Sequence, residues 1–120
     1  MPHAIRIHAT GGPDALSYDE VPVRAPGAGE ARVRHTAIGV NYIDTYHRSG
    51  LYPLPMPAGI GQEAAGIVEA VGTGVDWVQP GDRVAYCGGP TGSYATERLI
   101  AADKLVRIPD GVDDVTAATL

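Results

Sequence analysis

Residues Gly59 to Val75 read G-I-G-Q-E-A-A-G-I-V-E-A-V-G-T-G-V, and Pro80 to Val84 follow as P-G-D-R-V. Ala64 to Val71 is an apolar run short enough for one strand and bounded by turn-forming residues, so it reads as a buried strand. Gly72-Thr73-Gly74 turns it, with Gly72 and Gly74 supplying the turn conformations. Val75 to Val78 leads to a second turn at Pro80-Gly81-Asp82, which the Asp82 side chain is suited to hold. Gly66, inside the strand, fits a place where a neighbouring backbone comes close.

Outward from this segment the pattern of short strands continues. Ala4 to His8 alternates, with Ile5 and Ile7 on one face, and Gly11-Gly12-Pro13 ends it. Leu16 to Val23 is a weaker strand, and Ala31 to Val40 a longer one with Val33 and the Ala37/Ile38 region inside. Arg83 to Tyr86, Ser93 to Ile100 and Leu105 to Ile108 add three more. At least seven short strands imply a closed or nearly closed barrel, or a sandwich. One helix interrupts them. Asn41 can cap it, Asp44 stands three residues on, and Gly50 can stop it in a left-handed conformation. Within it Tyr42 and Tyr46 share a face, and Asp44 and Arg48 are spaced for a salt bridge. The loop from Gly50 to Gly61 holds Pro53, Pro55 and Pro57, which deny it a ladder of donors, yet it carries Leu51, Tyr52, Leu54 and Met56. Asp113 and Asp114 precede the run Val115 to Leu120 and mark a helix start. That helix has no stop signal, so the chain is expected to end within a helix leading onward.

The composition fits one folded domain. Of 120 residues, 44% are hydrophobic and 19% charged, with 16 glycines, 10 prolines and no Phe. The net charge of -5 disfavours a phosphate backbone as partner, so no nucleic acid is expected. No apolar run is long enough to cross a membrane, and no signal peptide is evident. A single cysteine, Cys87, offers no internal disulfide. A cytoplasmic protein is the simplest reading.

The two linked motifs, Gly59 to Val75 and Pro80 to Val84, resemble the signature of the medium-chain dehydrogenase/reductases. A-I-G-V-N-Y-I-D-T-Y-H-R-S-G-L-Y-P, Ala37 to Pro53, looks like their quinone oxidoreductase branch, which includes the zeta-crystallin relatives. The resemblance runs from about Ile5 to the last residue. It implies a mainly β, GroES-like catalytic domain with short helices spanning residues 1–120. It also implies that a Rossmann domain binding NADPH lies outside these residues, which contain no glycine-rich strand-turn-helix fingerprint. The chain alone is therefore expected to bind NADPH weakly and to turn over little. The implied activity is transfer of hydride or electrons from NADPH to a quinone. The alternatives are a zinc-free reductase of enones or enoyl thioesters, or a non-catalytic GroES-like structural module. The complete enzyme is expected to be a homodimer.

In that family Asn41, Tyr42, Ile43, Asp44, Thr45 and Tyr46 lie beside the nicotinamide. Tyr46 and Tyr52 are the candidate catalytic residues, donating to or lining the quinone. Tyr46 has a second reading, packing against Tyr42, and Arg48 a structural one, its bridge to Asp44. Gln62 and Glu63 stand where the family places its cleft. Cys87 reads as a small buried residue, Trp77 as packing near a turn, and His3, His8, His35 and His47 as exposed or locally bonded. Zinc-dependent relatives carry a Cys ligand where this chain has Asn41 and a His ligand where it has Gln62. Catalytic zinc takes three protein ligands, mostly imidazole, thiolate or carboxylate, so no metal is expected. The purified chain, dialysed against a weak chelator, should hold no stoichiometric zinc by metal analysis. One tightly held zinc per chain would contradict this reading.

Overall fold

The computed structural model describes residues 2–119. Eight antiparallel strands form two sheets. The smaller has the order β2-β1-β4 and is built from β1 (His3–Ile7), β2 (Leu16–Glu20) and β4 (Ala58–Gly59). The larger has the order β7-β3-β5-β6-β8 and is built from β3 (Glu30–Gly39), β5 (Glu63–Val71), β6 (Arg83–Cys87), β7 (Glu97–Ala101) and β8 (Val106–Arg107). Two α-helices accompany them among the described residues, α1 (Tyr42–Ser49) and α2 (Asp114–Ala118). The mainly β reading holds. Leu120, included in the expected C-terminal run, lies outside the described residues.

The pairing of β3 with β5 is the centre of the large sheet. Gly66 lies opposite His35, and a Cβ there would collide with the Arg34 carbonyl oxygen. Only a residue without a side chain lets the two backbones meet at that register. β5 is covered on both faces, which explains its nearly continuous apolar sequence. Ala64 and Val68 face the main core with Val33, Val84, Tyr86 and Ile100. Ala65 faces a second cluster with Ile108 and Ala118 of α2. Each fully buried Val or Ile side chain among these contributes roughly 1.5–3 kcal/mol over its exposed state.

Gly72 differs from its expected part. It has no left-handed backbone; instead a Cβ on it would strike the Gly27 carbonyl. Gly74 does turn, at φ 85. Asp82 holds its turn, accepting the Gln79 N–H at 3.0 Å. Asp113 caps α2 by accepting the Thr116 N–H at 2.7 Å.

The expected strand Ser93 to Ile100 is shorter than its sequence pattern. Only Glu97–Ala101 pairs as β7. Residues 92–96 are a seam that hydrogen-bonds to both sheets. Ala4 bridges Ala95, the Ile5 N–H donates to the Tyr94 carbonyl at 2.7 Å, and the His35 N–H donates to the Thr96 carbonyl at 2.9 Å. Leu16 to Val23 likewise shortens, ending at Glu20. Ile38 is not inside but 38% exposed, because the alternation of β3 turns it outward between Ala37 and the buried Gly39.

A polar network locks the seam from within. The His35 Nδ1 donates to the Ala95 carbonyl at 2.8 Å, so its Nε2 accepts the Tyr86 O–H at 2.9 Å. The fully buried Ser93 hydroxyl is 2.8 Å from the same phenol. Burial pushes the His35 imidazole below its ordinary value, and nearby Arg98 adds to this against the Ala95 hydrogen bond. A histidine whose folded value is depressed contributes full stability above about pH 6.5, lost as pH falls through the depressed value. Denaturant midpoints measured from pH 7.5 down to about 5 should fall more steeply for the parent than for His35→Gln. Parallel profiles would contradict a neutral His35 in the seam.

Candidate functional site

Helix α1 begins where β3 ends. Asn41 keeps an extended backbone, φ -128 and ψ 155, as an N-cap requires. The Asp44 Oδ2 accepts the Asn41 N–H at 3.0 Å, and the Asp44 N–H donates to the Asn41 carbonyl at 3.0 Å. At the other end Gly50 is left-handed, φ 91, and its N–H donates to the Tyr46 carbonyl at 3.1 Å. The Tyr52 N–H donates to the same carbonyl at 3.3 Å. This turn folds the chain back over the helix. The Tyr52 ring therefore meets Tyr46 edge-on, with centroids 5.5 Å apart and planes at 81°.

The candidate residues divide by direction. Asn41, Tyr42, Tyr46 and Tyr52 are exposed, Tyr42 at 85% and Tyr52 at 50%. Ile43 and Thr45 are half-buried, and the Thr45 hydroxyl is spent on the Tyr42 carbonyl at 2.7 Å. Asp44 is turned inward and is 3% exposed. The aromatic partner of Tyr46 is Tyr52, where Tyr42 was the expected one. Leu51 and Met56 are exposed, whereas Leu54 packs on Ile7, Ala58 and Ile60. The outward surface thus joins an amide and three phenols to apolar neighbours.

Three expectations need correction. No ion pair joins Asp44 to Arg48 among the described residues. The Asp44 carboxylate is engaged by its own cap, and the Arg48 Nε donates to the Gly11 carbonyl at 3.2 Å, with the Gly11 N–H returning to the Arg48 carbonyl at 2.9 Å. Arg48 therefore docks the Gly-Gly-Pro turn onto α1. Cys87 is exposed rather than buried, because it alternates away from the core at the end of β6. Partial desolvation and the Glu63 carboxylate push its thiol above the ordinary value, which disfavours a nucleophilic thiolate. His47 is buried at 6% exposure, its Nδ1 without a partner, and lies near the Tyr52 ring.

Glu63 lies against Gly39, which has no Cβ to obstruct it, and the Gln62 carbonyl accepts the Gly88 N–H at 2.8 Å. Among the described residues no three His, Cys, Asp or Glu side chains are grouped to hold a metal ion. No described helix is long and apolar enough to cross a membrane.

One residue had no sequence signal. The Tyr94 hydroxyl, from the seam, donates to the Asp44 Oδ2 at 2.6 Å. Burial and then the adjoining carboxylate push this phenol well above its ordinary value, so it stays a donor. Tyr94 also lines, with Ile5, Tyr18, His35, Ile38 and Val40, an apolar groove of about 480 Å3. Tyr46 and Tyr52 do not line it.

Several known proteins share this arrangement of strands and sequence. A quinone oxidoreductase of Pseudomonas aeruginosa is 50% identical over all of this chain, which covers 37% of that protein. A 2-haloacrylate reductase of a Burkholderia species is 48% identical over 94% of the chain and 35% of its own length. The crystal structure of Escherichia coli quinone oxidoreductase complexed with NADPH superposes with a TM-score of 0.94 at 44% identity, covering 97% of this chain and 36% of that one. The chain thus spans a little over a third of the length of these relatives. Residues 27–110 match the alcohol dehydrogenase GroES-like domain, and this chain belongs to that family.

Proposed function

We propose that this chain is the substrate-side domain of an NADPH-dependent quinone oxidoreductase. The observation that carries the reading is the outward group formed by Asn41 and Tyr46 of a helix capped at both ends and by Tyr52 of the loop that follows it. The names of the relatives support it, as does the NADPH bound in one of their structures. NADPH, when bound, supplies the hydride. The residues present fit a nicotinamide: the exposed Asn41 side chain offers both an N–H donor group and a carbonyl acceptor to a carboxamide, and Tyr42 and Tyr46 offer flat apolar surface. Asp44 serves from behind, holding the Asn41 backbone. Most of the affinity for the cofactor is assigned to a Rossmann domain outside these 120 residues.

The residues do not fit zinc. Asn41 and Gln62 are neutral amides, and no ligand cluster accompanies them among the described residues. Charge developing on a quinone oxygen is met instead by hydrogen bonds from phenols, which act most strongly where water is excluded. The Tyr52 hydroxyl is the best placed to donate, since its ring is held by Tyr46 while half of its surface stays open. Three prolines around it stiffen the loop, so little entropy is lost on closing over a ligand. The single cysteine supports placing the protein in the cytoplasm.

The 2-haloacrylate reductase among the relatives favours a second reading, reduction of an activated alkene conjugated to a carboxylate or carbonyl. The comparison of kcat/KM for a quinone and for 2-haloacrylate separates the two. In the oxidoreductase that carries this domain, Tyr52→Phe should lower kcat/KM for quinone by about tenfold, or about 1.4 kcal/mol, at nearly unchanged NADPH affinity. Tyr52→Ala should add a rise in quinone KM. A parent-like Phe variant with a crippled Ala variant would make Tyr52 only a wall. If neither change matters, the donor role passes to Tyr46.

A further inference from the structure

We propose that Tyr94 is a positioning residue: acting through Asp44, its phenol fixes the first turn of α1 and with it Asn41. The proposal rests on the function given above. The Asp44 carboxylate is almost fully buried, and its two hydrogen bonds both fall on Oδ2, from the Asn41 N–H and the Tyr94 O–H. Its Oδ1 is buried without a partner. Tyr94 is therefore the one described side chain that ties this carboxylate to the barrel rather than to its own helix.

The tie is rigid at its far end. The Tyr94 N–H donates to the Ile60 carbonyl at 2.9 Å, and the Tyr94 carbonyl accepts the Ile5 N–H at 2.7 Å. Its ring packs against the Ile7, Ala58 and Ile60 cluster. Gly61, left-handed at φ 101, leaves the space that the ring fills; a Cβ there would overlap the ring carbons. The Gly61 of the motif thus serves the placement of Tyr94 as well as a turn. A hydrogen bond from a phenol to a carboxylate at 2.6 Å is short and charge-assisted, about twice as strong as a neutral one. An eight-residue helix cannot hold its own shape or orientation, so such a contact decides where Asn41 stands.

Loss of the hydroxyl should loosen the turn without unfolding the barrel. In the 120-residue chain, Tyr94→Phe should raise amide hydrogen exchange at Asn41 and Asp44 by about tenfold or more, with Val33, Val68 and Val84 unchanged. In the oxidoreductase carrying this domain, the same variant should lower kcat about tenfold while KM for NADPH and for quinone stays within about twofold. Asp44→Asn should cause a similar loss, and the double variant should add little to either. If Asp44→Asn does not fold, Tyr94→Phe alone decides. Unchanged exchange at Asn41, exchange raised uniformly through the barrel, or an unchanged kcat would each overturn the proposal. A parent enzyme without NADPH-dependent turnover would instead overturn the function it rests on, a failure visible before any substitution is made.

Discussion

The barrel depends on a five-residue seam that is not itself a regular strand. Residues 92–96 hydrogen-bond to β1 on one side, through Ala4, Ile5 and His3, and to Ile60, Gly61 and His35 on the other. Without this seam the three-stranded and five-stranded sheets would each expose an edge of unpaired backbone groups. The polar side chains beneath it follow from the same need. Ser93, Tyr86 and His35 are buried, or nearly so, only because each satisfies another, and the neutral histidine completes the set.

The seam also connects the fold to the site. Its Tyr94 reaches Asp44, so the element that closes the barrel also steadies the helix on which Asn41 and Tyr46 stand. Arg48 fastens the other end of that helix to the turn after β1. The inward face of α1 is thus committed to structure and the outward face is free for a ligand. A site whose geometry is fixed before binding loses less free energy when the ligand arrives. This division explains why neighbouring residues of one short segment, Asp44 and Tyr46, have such different surroundings.

Much of this was legible in the sequence, and the reasons are local. The Gly74 turn, the Asp82 turn, the Asn41 cap and the Gly50 stop depend on residues a few positions apart, which the sequence displays directly. Gly66 and Ala64 to Val71 were legible because a small, apolar strand has few places to go other than a doubly covered centre. What failed was long-range. Arg48 has Asp44 at ideal helical spacing, but Gly11, 37 residues away, took it. Cys87 reads as apolar in composition, yet its place in the alternation of β6 turns it outward. Tyr94 and Asp44 are 50 residues apart, and no periodicity links them. Ser93 to Thr96 looks like strand because Tyr and Thr favour one, but the seam must bend to reach two sheets.

In the proposed function, the outward face of α1 and the adjoining Tyr52 are where a nicotinamide and its substrate meet. The most direct measurement is a titration of the isotope-labelled chain with NADPH, followed by backbone amide chemical shifts. The account predicts weak binding, with shifts concentrated at residues 41–46 and at Tyr52. Shifts confined to the polar region around Asp82, Arg83 and Arg107, or none at millimolar NADPH, about 4 kcal/mol of binding, would contradict it.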